Sequence, residues 1–243
     1  MKIIIVRHGD PDYEHDSLTE KGWREAQYLS EFLSNYDIAK FYCSPLGRAK
    51  YTASLTLKAM GRTAEEMAWL KEFDSPIRKP NYPDEDTITW DWLPQDWTSE
   101  DKYFSIDSWL DTAVMQQGQV QKQYDWVCQG LDKVLKDNGY ERKGRLYKAV
   151  KPNNDTIVFF CHFGLECVLL SHLLNISPMV LWHGVVAAPS SFTILATEER
   201  RPGIASFRML SFGERAHLYA NNEEPSFSAR FRECYMNENE RLD

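Results

Sequence analysis

The sequence predicts an α/β fold, a three-layer α/β/α sandwich with a mostly parallel sheet, helices on both faces and an inserted aromatic-rich cap. Three observations carry that prediction. Lys2-Ile-Ile-Ile-Val-Arg-His-Gly9 holds an apolar run that stops abruptly at an arginine, a histidine and a glycine, and Thr156-Ile-Val-Phe-Phe-Cys-His162 holds one that ends in a histidine. Continuous β-branched or aromatic runs of that length fit strands covered on both faces, as in a parallel sheet. Amphipathic patterns of helical period lie between and after the two runs, as connections across such a sheet require. The third observation is a change of character at about 73–118, where four of the eight tryptophans fall among four prolines. The 243 residues are therefore expected to form one domain, 1–243, with a cap insertion at about 73–118.

Taken in order, the first strand delivers Arg7 and His8 beyond its carboxyl end, where ligands of open α/β sheets bind. Gly9 allows a tight turn there. After a polar loop, Thr19 caps a helix whose stripe is Trp23, Ala26, Leu29, Phe32 and Leu33, closed by Asn35. Lys40 to Cys43 is a short strand. Ser44 then suits a helix cap and Pro45 a first helical position, which puts Arg48 at the anion-binding end of a helix reaching Gly61. Met67-Ala-Trp-Leu70 has the composition of a short strand, from which Glu72 leaves at the same sheet edge as the histidines.

Within 73–118, Trp90, Trp92, Trp97 and Trp109 with Tyr82, Tyr103 and Phe104 require burial somewhere. Either the segment closes over the sheet edge as a cap, or its tryptophans build a small core of their own. It carries ten acidic residues against three basic ones, Arg78, Lys79 and Lys102. A helical pattern from Gln119 to Asn138 stops at Gly139, and a polar stretch, Glu141 to Asp155, leads to the second histidine strand. That strand runs into a helix with Leu165, Val168, Leu169, His172 and Leu173. Pro178 to Trp182 is a short helix before His183. Ser191 to Ala196 and Ala205 to Leu210 form an antiparallel pair at the sheet edge around the turn Arg201-Pro-Gly203, and Tyr219 to Asp243 is mostly polar.

A net charge of −8 argues against nucleic acid or an acidic membrane as a partner. The five cysteines are odd in number and scattered without a CxxC pair, which fits reduced thiols and a cytoplasmic protein. The apolar start is too short for a signal peptide, and no run reaches membrane-spanning length. Cys161, His162, Cys167 and His172 are a possible metal set, but Cys167 and His172 lack ligand-like spacing, so neither metal nor cofactor is expected. His172 and His183 are expected to be structural.

In combination, Arg7-His8-Gly9, Ser44-Pro-Leu-Gly-Arg48-Ala and His162 resemble the histidine phosphatase (phosphoglycerate mutase-like) superfamily. Leu18-Thr-Glu-Lys-Gly22 followed by Ala26 resembles its first helix, so the likeness covers about 1–72 and 156–218. The resemblance implies a metal-independent phosphatase in which His8 is the nucleophile and forms a phosphohistidine. It implies that Arg7, Arg48 and His162 hold the phosphoryl group, and that a carboxylate at the place of Glu72 donates a proton, with Asp74 and Asp10 as competitors. Many members hold the phosphate with an asparagine in the loop after the first glycine. Here Asp10, Pro11 and Asp12 stand there, and His15 is the loop residue that could reach the phosphate.

Two arginines and two histidines make a positive pocket suited to one phosphoryl group, because guanidinium forks match phosphate oxygens in a bidentate way. The expected function is hydrolysis of a small phosphorylated metabolite, with no nucleic-acid or membrane partner. A phosphoglycerate mutase is the alternative enzyme, disfavoured by the few basic residues of the insertion, and aromatic walls suit a phosphate carried on an apolar or planar group. An alternative of another class is a non-catalytic module that binds phosphoryl ligands or regulates a partner.

Overall fold

The computed structural model describes residues 1–228 and 230–242. Its elements run β1 (Lys2–Arg7), β2 (Pro11–Asp12), β3 (Ser17–Leu18), α1 (Glu20–Leu33), β4 (Lys40–Cys43), α2 (Gly47–Met60) and β5 (Glu65–Glu66). The insertion holds β6 (Pro76–Ile77), β7 (Thr87–Ile88), α3 (Pro94–Trp97) and α4 (Ala113–Gln117), with single 3-10 turns between them. Then follow α5 (Val120–Asp137), β8 (Tyr140–Lys143), β9 (Leu146–Ala149), β10 (Thr156–Cys161), α6 (Phe163–Leu174) and α7 (Pro178–Gly184). The long hairpin β11 (Phe192–Arg201) and β12 (Ile204–Glu214) and the short α8 (Ala216–Tyr219) close the fold.

Among the described residues one eight-stranded sheet has the order β5-β4-β10-β1-β11-β12-β9-β8. It is mixed. The half that contains β5, β4, β10 and β1 is parallel, and the half from β11 to β8 is antiparallel. Because side chains alternate across a strand, β1 sends Ile3 and Ile5 to one face and Ile4 and Val6 to the other. Ile4, Val6, Val158 and Phe160 pack with Leu29 and Leu33 of α1 and Ala49 and Ala53 of α2. Ile3, Ile5, Ile157 and Phe159 pack with α5, α6, α7 and the insertion. Those are the three layers. No helix among the described residues is long and apolar enough to cross a membrane.

Register decides where the site lies. β1 and β10 run parallel with Arg7 opposite Cys161, so His8 and His162 are the next pair and leave the sheet side by side. β10 pairs with β4, Phe160 opposite Cys43, and this brings Ser44 alongside. Ser44 N–H donates to Phe160 O at 2.9 Å. Thr19 caps α1 as its sequence predicts, its Oγ1 accepting from Gly22 N at 3.1 Å.

Three expectations need correction. Met67 to Leu70 is not a strand, since the edge strand is the preceding pair Glu65–Glu66 and Ala68–Leu70 is a 3-10 turn. Trp69 and Leu70 are both buried in the core from that turn. Ser44 and Pro45 do not start α2, which begins at Gly47 behind Leu46. The polar stretch after Gly139 forms the β8–β9 hairpin, turned at Gly144 (φ 61°), with β8 as the sheet edge. Consequently the β11–β12 pair is not at the edge and sits between β1 and β9.

The insertion's four tryptophans and Tyr103 belong to the main core, whereas Tyr82 and Phe104, also expected to be buried, are exposed. Trp109 is fully buried, its ring edge-on to Tyr124 of α5 at 5.2 Å and to Trp182 of α7 at 5.7 Å. Trp109→Ala is therefore expected to cost about 3–5 kcal/mol of global stability. Denaturant unfolding should remain one cooperative transition; a separate early transition of the insertion would show that it folds on its own.

Candidate active site

The site is assembled at the carboxyl ends of β1, β10 and β4. His8 and His162 face one another with ring centroids 5.1 Å apart. Both are buried, at 3% and 0% exposure, and so is Arg7. The Nδ1 of His8 lies 2.8 Å from Gly9 O, and a carbonyl can only accept, so the ring proton sits on Nδ1 and Nε2 carries a lone pair. Burial, then the charges of Arg7 and Arg48, hold the His8 pKa well below the ordinary imidazole value, against the Gly9 bond. The ring is neutral.

His162 takes the same Nδ1–H tautomer. Ser44 Oγ accepts from Leu46 N at 3.2 Å, which frees its own proton for His162 Nε2 at 2.7 Å. The remaining proton is then on Nδ1. Burial, followed by His8 and the two arginines, keeps this imidazole uncharged as well.

Both arginines are tied in the same manner. Arg7 donates from Nη1 to Ala187 O at 2.6 Å, and Arg48 donates from Nη1 to Asp16 Oδ1 at 2.7 Å. In each fork the opposite edge, made by Nε and Nη2, is left over. Among the described residues the buried Arg7 Nε, Arg48 Nε and His162 Nδ1 have no hydrogen-bond partner. Buried donors are seldom left in that condition, and three of them around one neutral histidine mark an anion site.

Glu72 lies in the same pocket. Its Oε1 accepts from Phe73 N at 2.8 Å and from Leu165 N at 2.9 Å, which leaves Oε2 to carry a proton. Burial raises its pKa, outweighing those two bonds and the nearby Arg7 and Arg48. The indole of Trp90 closes over Gly164 beside it. A Cβ at Gly164 would come within 2.4 Å of Trp90 Nε1 and 2.8 Å of Glu72 Oε1, so only glycine permits this approach.

Both competing carboxylates are otherwise engaged. Asp10 accepts Thr19 Oγ1 on Oδ2 at 2.7 Å and Ser226 Oγ on Oδ1 at 2.5 Å. Asp74 is exposed and meets Gln123 Nε2 at 3.1 Å. His15 is not brought into the site. Its ring is 69% exposed and bonds to Asp12 Oδ2 at 2.8 Å, because the loop turns it outward and sends Asp16 inward instead. His172 bonds to Asp132 and His162 to Ser44, so the Cys161–His172 set does not converge. All five cysteines are free thiols.

Sequence reasoning missed Ser44 as the partner of His162 and Asp16 as the partner of Arg48. Neither has a local signal beyond a polar residue in a loop. It also passed over Glu166, one turn into α6, where burial pushes the carboxyl up to about 7 while Arg7 draws it down. The C-terminal segment reaches the same end of the sheet. Glu223 takes Arg24 in a bidentate pair at 3.0 and 3.2 Å, and Arg241 meets Asp91 of the insertion at 3.3 Å.

A family profile described as the histidine phosphatase superfamily (branch 1) matches residues 3–209. A 2,3-bisphosphoglycerate-dependent phosphoglycerate mutase of Thermoplasma acidophilum is 39% identical over 66 residues, 23% of this chain and 33% of that protein. The chain thus spans about a third of the length of the curated relative it matches. Among solved structures, a phosphoserine phosphatase mutant of Entamoeba histolytica in complex with phosphoserine aligns with TM-score 0.57 and 21% identity, over 89% of this chain and 98% of that one. A mycobacterial glucosyl-3-phosphoglycerate phosphatase aligns with TM-score 0.55 and 16% identity over 88% and 99%. An alpha-ribazole phosphatase of Shigella flexneri gives 0.52 and 17% over 88% and 97%. At these identities the structures speak to the fold, a mixed central sheet between helical layers. With most of its length matched by the profile, the chain belongs to the histidine phosphatase superfamily (branch 1).

Proposed function

We propose that the protein is a metal-independent phosphomonoester hydrolase that works through a phosphohistidine on a small phosphorylated metabolite. The observation that carries this is the ring of buried, unpaired donors, Arg7 Nε, Arg48 Nε and His162 Nδ1, around a His8 whose tautomer leaves Nε2 nucleophilic. Phosphoryl transfer needs an in-line nucleophile and charge stabilisation on three equatorial oxygens, and these groups supply both. His8 Nε2 forms the bond to phosphorus as the P–O bond to the leaving group breaks, and Glu72 gives its Oε2 proton to the departing alkoxide. Water then attacks the phosphohistidine, the Glu72 carboxylate takes the water's proton, and the P–N bond breaks to release inorganic phosphate.

The 66-residue likeness to a mutase favours a second reading, phosphoglycerate mutase. A mutase must also hold the carboxylate of its substrate and would need basic residues free to do so. The three basic residues of the insertion are committed within it. Arg78 pairs with Asp86 at 3.1 Å, Lys79 holds Trp90 O and Asp91 O at 2.5 and 2.8 Å, and Lys102 reaches Asp111 O at 3.4 Å. That supports hydrolysis. Trp90 of the insertion packs edge-on at 5.9 Å against Phe163, the first residue of α6 beside His162, which supports reading the insertion as a cap.

A panel of metabolite phosphomonoesters assayed for released phosphate tests this reading, with 3-phosphoglycerate included with and without a bisphosphoglycerate primer. Release of phosphate from at least one panel member is expected. Primer-dependent exchange without net release would make it a mutase, and phosphate binding without turnover would make it a non-catalytic module.

A further inference from the structure

We propose that Asp16 is a positioning residue that sets the guanidinium of Arg48 for the phosphoryl group. The inference rests on Arg48 being a phosphate ligand and adds how that ligand is aimed. Arg48 is in the first turn of α2, a helix of 14 residues, and its long side chain has many rotamers. Two things hold it. Asp16 Oδ1 accepts from Nη1 at 2.7 Å, and the ring of Tyr13 lies 5.5 Å from the guanidinium carbon.

The second Asp16 oxygen is fixed as well. Oδ2 accepts from Gly47 N at 2.6 Å, so the carboxylate supplies the N-terminal cap that α2 does not take from Leu46. One carboxylate therefore ties the first turn of the helix and the side chain that leaves it. Partial burial would raise the Asp16 carboxyl, but the Gly47 N–H and the Arg48 guanidinium hold it below the usual carboxylate range.

The backbone is shaped for this contact. Asp16 adopts φ 45°, a left-handed conformation, at the end of the turn that joins the paired segments Pro11–Asp12 and Ser17–Leu18. A Cβ on Gly47 would lie 2.1 Å from Asp16 O, so the loop presses against the start of α2 with no room for a side chain. The geometry repeats what Ala187 O does for Arg7. In both arginines Nη1 is occupied and the Nε edge is buried without a partner, so the two forks offer the same edge to one anion.

The competing role for Asp16 is electrostatic, because a carboxylate beside a phosphate site repels the incoming dianion. The two roles predict opposite signs. Asp16→Ala, Asp16→Asn, Arg48→Ala and the double variant Asp16→Ala/Arg48→Ala are compared by steady-state kinetics on p-nitrophenyl phosphate and by inhibition with inorganic phosphate. Melting temperatures establish that each variant is folded. Loss of a hydrogen bond to a charged group predicts that Asp16→Ala lowers kcat/KM by about ten- to a hundredfold and weakens phosphate inhibition. Asp16→Asn should recover part of this, because its amide oxygen still accepts from Arg48.

The double variant decides whether the effect passes through Arg48. In the Arg48→Ala background, Asp16→Ala should change kcat/KM by less than about twofold. An undiminished loss there would make Asp16 a loop residue only and overturn the proposal. Tighter inhibition by phosphate in Asp16→Ala would overturn it in favour of repulsion. Arg48→Ala with unchanged kinetics would instead remove Arg48 from the phosphate site, a failure of the functional reading itself.

Discussion

Replacing His8 by alanine is expected to lower kcat on p-nitrophenyl phosphate by more than about 10³-fold while phosphate binding survives. The loss is large because, among the described residues beside the pocket, no other buried nucleophile has the required state. His162 Nε2 is occupied by Ser44, and its Nδ1 bears a proton, so it donates and cannot attack. Cys161 and Cys167 are buried, and burial raises both thiols well above the usual range, which removes their thiolates. Binding should persist because Arg7, Arg48 and His162 remain. The measurements are kcat, inorganic phosphate affinity by calorimetry, and acid quench of the wild-type enzyme during turnover. An acid-labile phosphoryl adduct is expected on His8 and absent from the variant; an adduct on any other residue, or near-normal turnover by His8→Ala, would refute the mechanism.

Glu72→Gln is expected to slow hydrolysis of alkyl phosphates by about 10²–10⁴-fold. The amide oxygen can still accept from Phe73 N and Leu165 N, so the pocket keeps its shape and only the proton is lost. The effect should depend on the leaving group. An alkoxide needs that proton, whereas p-nitrophenolate departs without one, so p-nitrophenyl phosphate should be much less affected.

The pH profile follows from the same pair. Glu72 works as a donor only while protonated, and burial raises its pKa, so activity should fall as pH rises through that raised value. His8 works only when neutral, and its pKa is depressed by burial and by the arginines, so the acid limb should lie well below the ordinary imidazole range. In Glu72→Gln the alkaline limb should vanish and the acid limb stay. Retention of the alkaline limb would assign the proton to another group.

The histidine strands were legible because each is one continuous apolar run, and such runs specify a strand with both faces covered. Arg7, His8 and His162 follow directly, being the first polar residues beyond the runs. The register adds what neither run contains, that residue 8 lands beside residue 162. The β8–β9 hairpin stayed hidden because only Tyr140, Tyr147 and Ala149 of its strand residues are buried, and the tract from Glu141 to Lys148 is mostly charged. The short edge strand was misplaced at Met67 to Leu70, where two buried apolar residues in succession form a turn.

By itself the sequence determined the α/β class, the two histidine strands, the arginine at the start of the second helix and the family resemblance. These depend on local periodicity and on residues adjacent to it. Only the tertiary structure decided that Ser44 bonds to His162, that Asp16 and not His15 reaches Arg48, and that the insertion's tryptophans complete the main core. Those contacts join residues 118, 32 and 73 positions apart, Ser44 with His162, Asp16 with Arg48 and Trp109 with Trp182. A contact of that kind leaves no period in the chain, because its geometry exists only after strand register and helix packing have brought the partners together.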